Sequence, residues 1–186
     1  MFKSLSFRVL ALSVISAGLG LLSLPSALAR DGVSFEIGHG NHTEMVAVSL
    51  TREWSEPIYD LGSWTIGGYW DLGASFWNPH SNDGGNNQVT DLAFTPVFRI
   101  TQKVRSGIAP FAEAAVGASV MSTHNIWRGH NMSSNFQFAD HVAAGVSLGD
   151  KLQWDVAARL QHFSNGGISN PNPGINFFQL RVDYHF

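Results

Sequence analysis

The sequence predicts an all-β fold, an eight-stranded antiparallel transmembrane β-barrel, on three observations. Segments of about ten residues recur in which every second side chain is apolar and the ones between are polar, as in strands with one face in lipid. The chain carries 6 Trp and 13 Phe with only 13% charged residues, an aromatic load unusual for a soluble domain of this size. Beyond the N-terminal region no long uninterrupted apolar run occurs, so membrane-spanning helices are not expected. Closure follows from the solvent, because an open sheet edge in lipid leaves backbone groups unpaired.

The elements follow in order. Residues 1–29 read as a secretory signal peptide: Lys3 and Arg8 give a positive start, residues 9–24 an apolar stretch, and Ala27-Leu28-Ala29 a small-x-small cleavage site. Residues 30–186 are then the barrel domain. Residues 33–38 and 44–54 alternate imperfectly and are read as the first two strands. In residues 63–77, Trp64, Ile66, Trp70, Leu72 and Phe76 lie on one side, with Thr65, Tyr69, Asp71 and Ser75 on the other. Leu92, Phe94, Phe98 and Ile100 oppose Asp91, Thr95, Arg99 and Thr101. Ala112, Ala114, Val116 and Val120 oppose Glu113 and Ser119, and Phe136, Phe138, Val142 and Val146 oppose Gln137, His141 and Ser147. Leu152, Trp154, Val156, Ala158 and Leu160 form a strict apolar row, which His162 and Ser164 continue in phase. Phe178, Leu180, Val182, Tyr184 and Phe186 close the series against Gln179, Arg181, Asp183 and His185.

Asp71, Arg99, Glu113, Arg159, Arg181 and Asp183 all share the polar parity. In a membrane barrel they face inward, where they can pair and fill the lumen. A soluble lipocalin-like barrel would reverse the two faces, and parity alone does not separate the two. Phe186, with Tyr184 and Phe178 in phase, favours the membrane barrel. Outer-membrane barrels have short periplasmic turns and longer external loops. Gly149-Asp150 is read as a tight periplasmic turn, which makes residues 78–88, 124–134 and 166–175 external.

Cysteine is absent, which excludes disulfides and thiolate metal sites. A net charge of −3 without a basic patch argues against nucleic acid as a partner. The histidine pairs His39/His42 and His124/His130 have no matching carboxylate motif, so no dedicated metal site is expected.

His162 and Ser164 are the candidates for chemistry. Serine is a weak nucleophile until a base takes its proton. Residues i and i+2 of a strand project to one side with Cα atoms about 6.5–7 Å apart, a gap an imidazole largely bridges. The same spacing also suits two ordinary polar residues at a membrane interface.

The surrounding motif adds to this reading. His162-Phe163-Ser164-Asn165-Gly166-Gly167-Ile168 runs into Asn170-Pro171-Asn172-Pro173-Gly174-Ile175-Asn176. This resembles the signature of the lipid A 3-O-deacylase (PagL-type, acyloxyacyl-hydrolase-like) family of outer-membrane proteins. Gly68-Tyr69-Trp70-Asp71, Phe94-Thr95-Pro96-Val97-Phe98 and Pro110-Phe111-Ala112-Glu113-Ala114 are similar to other family segments. The resemblance implies a Gram-negative outer-membrane barrel that removes the ester-linked acyl chain at position 3 of lipid A. Lipopolysaccharide would be its substrate and outer-membrane lipids its surroundings. It implies His162 as general base, Ser164 as nucleophile, and Asn165, Gly167 and Asn172 as candidate oxyanion donors, all at the outer-leaflet level on the barrel exterior. No cofactor is implied.

The family's triad glutamate falls at Asn176 here. An amide can hold a neutral imidazole but cannot balance an imidazolium, and an acid-to-amide change in a serine triad costs about 10⁴ in kcat. Asp140, on the lipid-facing parity of the preceding strand, is the alternative acid. If Phe138 pairs with His162, Asp140 is a diagonal neighbour. Asn176 equally supports a different class of function, a catalytically impaired barrel with a structural or lipopolysaccharide-binding role. An acyltransferase would need a phospholipid donor site that no motif identifies.

Overall fold

The computed structural model describes residues 30–105 and 107–186, so the signal peptide read at residues 1–29 lies outside the described residues. The barrel strands are β1 (Asp31–Gly40), β2 (Thr43–Glu53), β3 (Trp64–Pro79), β4 (Val89–Gln102), β5 (Gly107–Met121), β6 (Phe136–Gly149), β7 (Trp154–Ser164) and β8 (Ile175–His185). Each pairs antiparallel with its sequence neighbours, and β1 also pairs with β8, from Gly32↔His185 to His39↔Phe178. The meander therefore closes, and no barrel strand is left as an edge. Three short pieces lie off the barrel: Tyr59–Asp60 extends the sheet beside β3, and Asn125–Trp127 pairs with His130–Asn131 in the connection before β6.

Alternation sorts the side chains as expected. Phe35, Trp70, Leu72, Phe94, Phe98, Val142, Leu160, Leu180 and Val182 point outward and are exposed. This face is the apolar one, which removes the lipocalin-like alternative, whose apolar residues would point inward. The inward face at the turn end of the barrel is ionic. Arg181 Nη1 reaches Glu36 Oε1 and Asp71 Oδ2 at 2.7 Å each, and its Nη2 reaches Asp183 Oδ1 at 2.6 Å. Arg99 bridges Glu113 at 2.5 Å and Asp155 at 2.6 Å, and Tyr69 donates its hydroxyl to Glu113 at 3.0 Å. Arg159 lies 3.3 Å from Glu36. Buried charges persist only when paired in this way.

Toward the loop end the lumen changes character. Trp77, Phe163 and Phe177 pack as a ring cluster, with centroids 4.8 Å and 5.1 Å from Trp77, and Ile126, Met132 and Ile175 are buried against them. Phe163, Phe177 and Trp77 sit at inward positions where polarity was expected. They are apolar because the loop-borne Ile126 and Met132 fold over the mouth and give them a dry neighbour.

Two readings of the sequence need correction. Leu152 has φ +53° and lies in the connection before β7, so the apolar row begins at Trp154. The β6–β7 register pairs Phe138 with Ser164 and Asp140 with His162, a shift of two residues from the assumed Phe138–His162 pair. The positive φ of Gly149 and Leu152 shapes that connection, and the register centres the hairpin on Lys151, beyond the middle of a Gly149-Asp150 turn.

Candidate active site

The site is built on the outward face of β7 where it reaches the loop end. Within the strand, Trp154, Val156, Ala158 and Leu160 are exposed, and His162 and Ser164 continue the row half-buried. On the β8 side, His162 is paired in register with Asn176. Its Nδ1 lies 2.7 Å from Asn176 Oδ1. An amide oxygen only accepts, so Nδ1 carries the proton and Nε2 presents its lone pair. That tautomer is the one a general base for serine requires. On the β6 side, the in-register partner of His162 is Asp140.

No hydrogen bond joins His162 to Ser164, although the two share a face two residues apart. Nucleophile–base contacts of this kind are commonly long without substrate and tighten with it. Gly174 bounds the imidazole on the loop side. Its φ is +65°, and a Cβ there would lie 2.8 Å from His162 Cε1 and 3.4 Å from Nε2. Ser164 is flanked by Phe138, its partner on β6.

Asn176 is itself held by the β1–β2 turn. Asn41 and His42 have φ of +46° and +56° in a two-residue connection, and Asn41 Oδ1 accepts the Asn176 N–H at 2.8 Å. Gly40 lets that turn approach, since a Cβ there would meet the Asn176 carbonyl oxygen at 1.9 Å. An open groove of about 450 Å³ runs beside the imidazole, with Leu160 and Phe178 on its apolar side and His39, Asn41, His162 and Asn176 on its polar side.

The candidate oxyanion donors are placed differently from one another. Asn165 is fully buried, its side-chain nitrogen donates to the Met132 and Ser169 carbonyls at 2.9 Å each, and its Oδ1 accepts from Gly167 N at 2.9 Å. The Asn165 N–H donates to Asn172 Oδ1 at 3.0 Å. The Asn165 side chain thus builds the loop, and the Asn165 and Gly167 N–H groups must leave side-chain acceptors to meet an oxyanion. Asn172 uses its oxygen in this network, and its amide nitrogen makes no hydrogen bond to the described residues. Sequence reasoning missed Asn41 and gave Gly174 no role. Asn41-His42 between two alternating segments is a hairpin signal, but nothing in it points to β8.

The model of the lipid A 3-O-deacylase (PagL) family matches residues 44–185 of the chain. The lipid A deacylase PagL of Pseudomonas aeruginosa is 29% identical, over 93% of this chain and 95% of that protein. The lipid A deacylase PagL of Bordetella bronchiseptica is 31% identical, over 93% of each. Among solved structures, a crystal structure of the outer membrane enzyme PagL superposes with a TM-score of 0.72 at 26% identity, over 82% of this chain and 98% of that one.

Proposed function

The chain belongs to the lipid A 3-O-deacylase family, and from that premise we propose that it is an outer-membrane esterase that removes the acyl chain ester-linked at position 3 of lipid A by a serine–histidine mechanism. The observation that carries the mechanism is the outward-facing His162, its Nδ1 proton fixed by Asn176 at 2.7 Å, with Ser164 two residues along the same lipid face. A barrel exterior is where a lipid embedded in the same leaflet arrives, by lateral diffusion. Its acyl chain lies along Leu160 and Phe178, and its ester meets Ser164 where the apolar face ends.

In the reaction His162 Nε2 takes the Ser164 proton as Oγ attacks the ester carbonyl. The developing oxyanion is met by the N–H of Asn165 or Gly167, released from their side-chain acceptors, or by the Asn172 amide. Collapse of the tetrahedral intermediate breaks the bond to the sugar oxygen, which takes the proton from His162. Water, deprotonated by the same imidazole, then attacks the acyl-enzyme; the bond to Ser164 Oγ breaks, Oγ takes the proton back from His162, and the fatty acid leaves. Every step uses groups of this chain and water, and calls for no cofactor.

A second reading rests on Asn176: an amide in the third triad position supports a barrel that binds lipopolysaccharide with its catalysis impaired. Mass spectrometry of lipid A from cells expressing the chain separates the two. Loss of one 3-linked hydroxyacyl chain, absent with Ser164→Ala, is the expected result. Unchanged lipid A from a folded barrel would overturn the esterase reading.

A further inference from the structure

We propose that Asp140 is a charged positioning residue for His162, and that the work of a triad carboxylate is divided here between Asn176, which orients the imidazole, and Asp140, which balances its charge. The inference rests on the serine–histidine reading above. Three observations carry it.

The first is register. Asp140 and Asn176 are the in-register partners of His162 on its two neighbouring strands, so the three side chains form one outward row across β6, β7 and β8. Directly opposed residues have Cβ atoms about 4.5–5.5 Å apart, within Coulombic reach at the edge of lipid.

The second is what Asp140 lacks. Its Oδ1 is buried and accepts no hydrogen bond. A carboxylate on a lipid-facing parity is costly without a partner. Its in-register neighbour on β7, on the same outward row, is the ionisable side chain of His162. Beneath the pair, on the inner face, Gln161 Nε2 donates to the Asp140 carbonyl at 3.1 Å and holds β6 against β7 at this level.

The third is what Asn176 cannot do. Its oxygen fixes the tautomer but carries no charge, while the imidazolium formed during acyl transfer sits in a poorly hydrated setting that favours a nearby anion. The other groups around His162 do not supply one. Asn176 on β8 is neutral, Gly174 has no side chain, His141 on β6 points inward, and His39 on β1, across the groove, is a second imidazole.

Two measurements test the proposal on the full-length barrel in detergent. In the Ser164→Ala background, the NMR titration midpoint of His162 should fall when Asp140→Asn is added, because removing an anion disfavours the imidazolium. An unmoved midpoint overturns the proposal whether or not the protein is an esterase. In the active protein, Asp140→Asn should lower kcat by about 10- to 100-fold with KM nearly unchanged, within the range for groups that act on a catalytic base. The acid limb of kcat/KM should move to lower pH. With Asn176→Glu in place a full carboxylate stands on the other side of His162, so the same Asp140→Asn change should cost under about threefold. Equal losses in both backgrounds would mark Asp140 as merely structural. Release that survives Ser164→Ala would instead overturn the serine mechanism itself.

Discussion

Alternate residues of β7 face two solvents and are held in two ways. On the inner face, Asp155 meets both Arg99 and His185, and Arg159 lies near both Glu36 and Glu113. On the outer face, His162 is oriented by one hydrogen bond, to Asn176, whose backbone is in turn held by one side chain, Asn41. The inner network is redundant, while the outer chain of contacts is single file. On the proposed mechanism, stability and activity are therefore separable on the two faces of one strand. Changes outside should remove catalysis from a folded barrel, and changes inside should weaken a barrel whose surviving molecules still react.

The largest expected effect is on the outer face. Ser164→Ala should lower deacylation by at least about 10³-fold, since loss of the proposed nucleophile leaves only binding and oxyanion stabilisation. The folded barrel should keep its heat-modifiable gel migration and its urea midpoint. A midpoint that falls with activity would break the separation.

The inner counterpart is Arg181→Met. It leaves Glu36, Asp71 and Asp183 short of their shared cation. Removing one partner of a buried ionic network costs about 3–5 kcal/mol. The urea midpoint should drop, while kcat per folded molecule stays within about twofold, as expected for sites far apart that share no partner.

Much of this division is legible in the sequence, and its limits are physical. The inward charges and the outward His162 and Ser164 follow from a side-chain period of two, which needs no knowledge of neighbours. Register is different. The pairing of Asp140 with His162 depends on the positive-φ connection at Gly149 and Leu152, and a strand's own pattern is blind to how far its partner has slipped. The apolar mouth was hidden for a similar reason. Phe163 and Phe177 look out of place on a polar parity until Ile126 and Met132 arrive from a loop distant in sequence. The oxyanion candidates also depend on the fold of their loop, where Asn165 turns out to be enclosed by its own hydrogen bonds.

A smaller effect should come from Gly174→Ala. The new methyl would press on His162 Cε1, 2.8 Å away, in a backbone conformation that L-residues avoid. Tilting the imidazole misplaces Nε2, so kcat should fall about 10- to 100-fold. The urea midpoint should fall only by the strain of an L-residue at positive φ, about 1–2 kcal/mol. A KM change with unaltered kcat would show that Gly174 shapes the groove rather than the base.

The smallest effect tests how far the single-file arrangement extends. Asn41→Ala removes the acceptor for the Asn176 N–H but leaves the Asn176 side chain and its register with His162 intact. An exposed hydrogen bond of this kind is worth about 0.5–1.5 kcal/mol. If all of it serves to hold Asn176, kcat should fall by roughly 2- to 10-fold, on the basis that each 1.4 kcal/mol is tenfold. The loss should vanish in the Asn176→Ala background, where there is no amide left to orient. A loss that persists there would mean that the β1–β2 turn touches the substrate directly, through the groove that Asn41 lines beside His39.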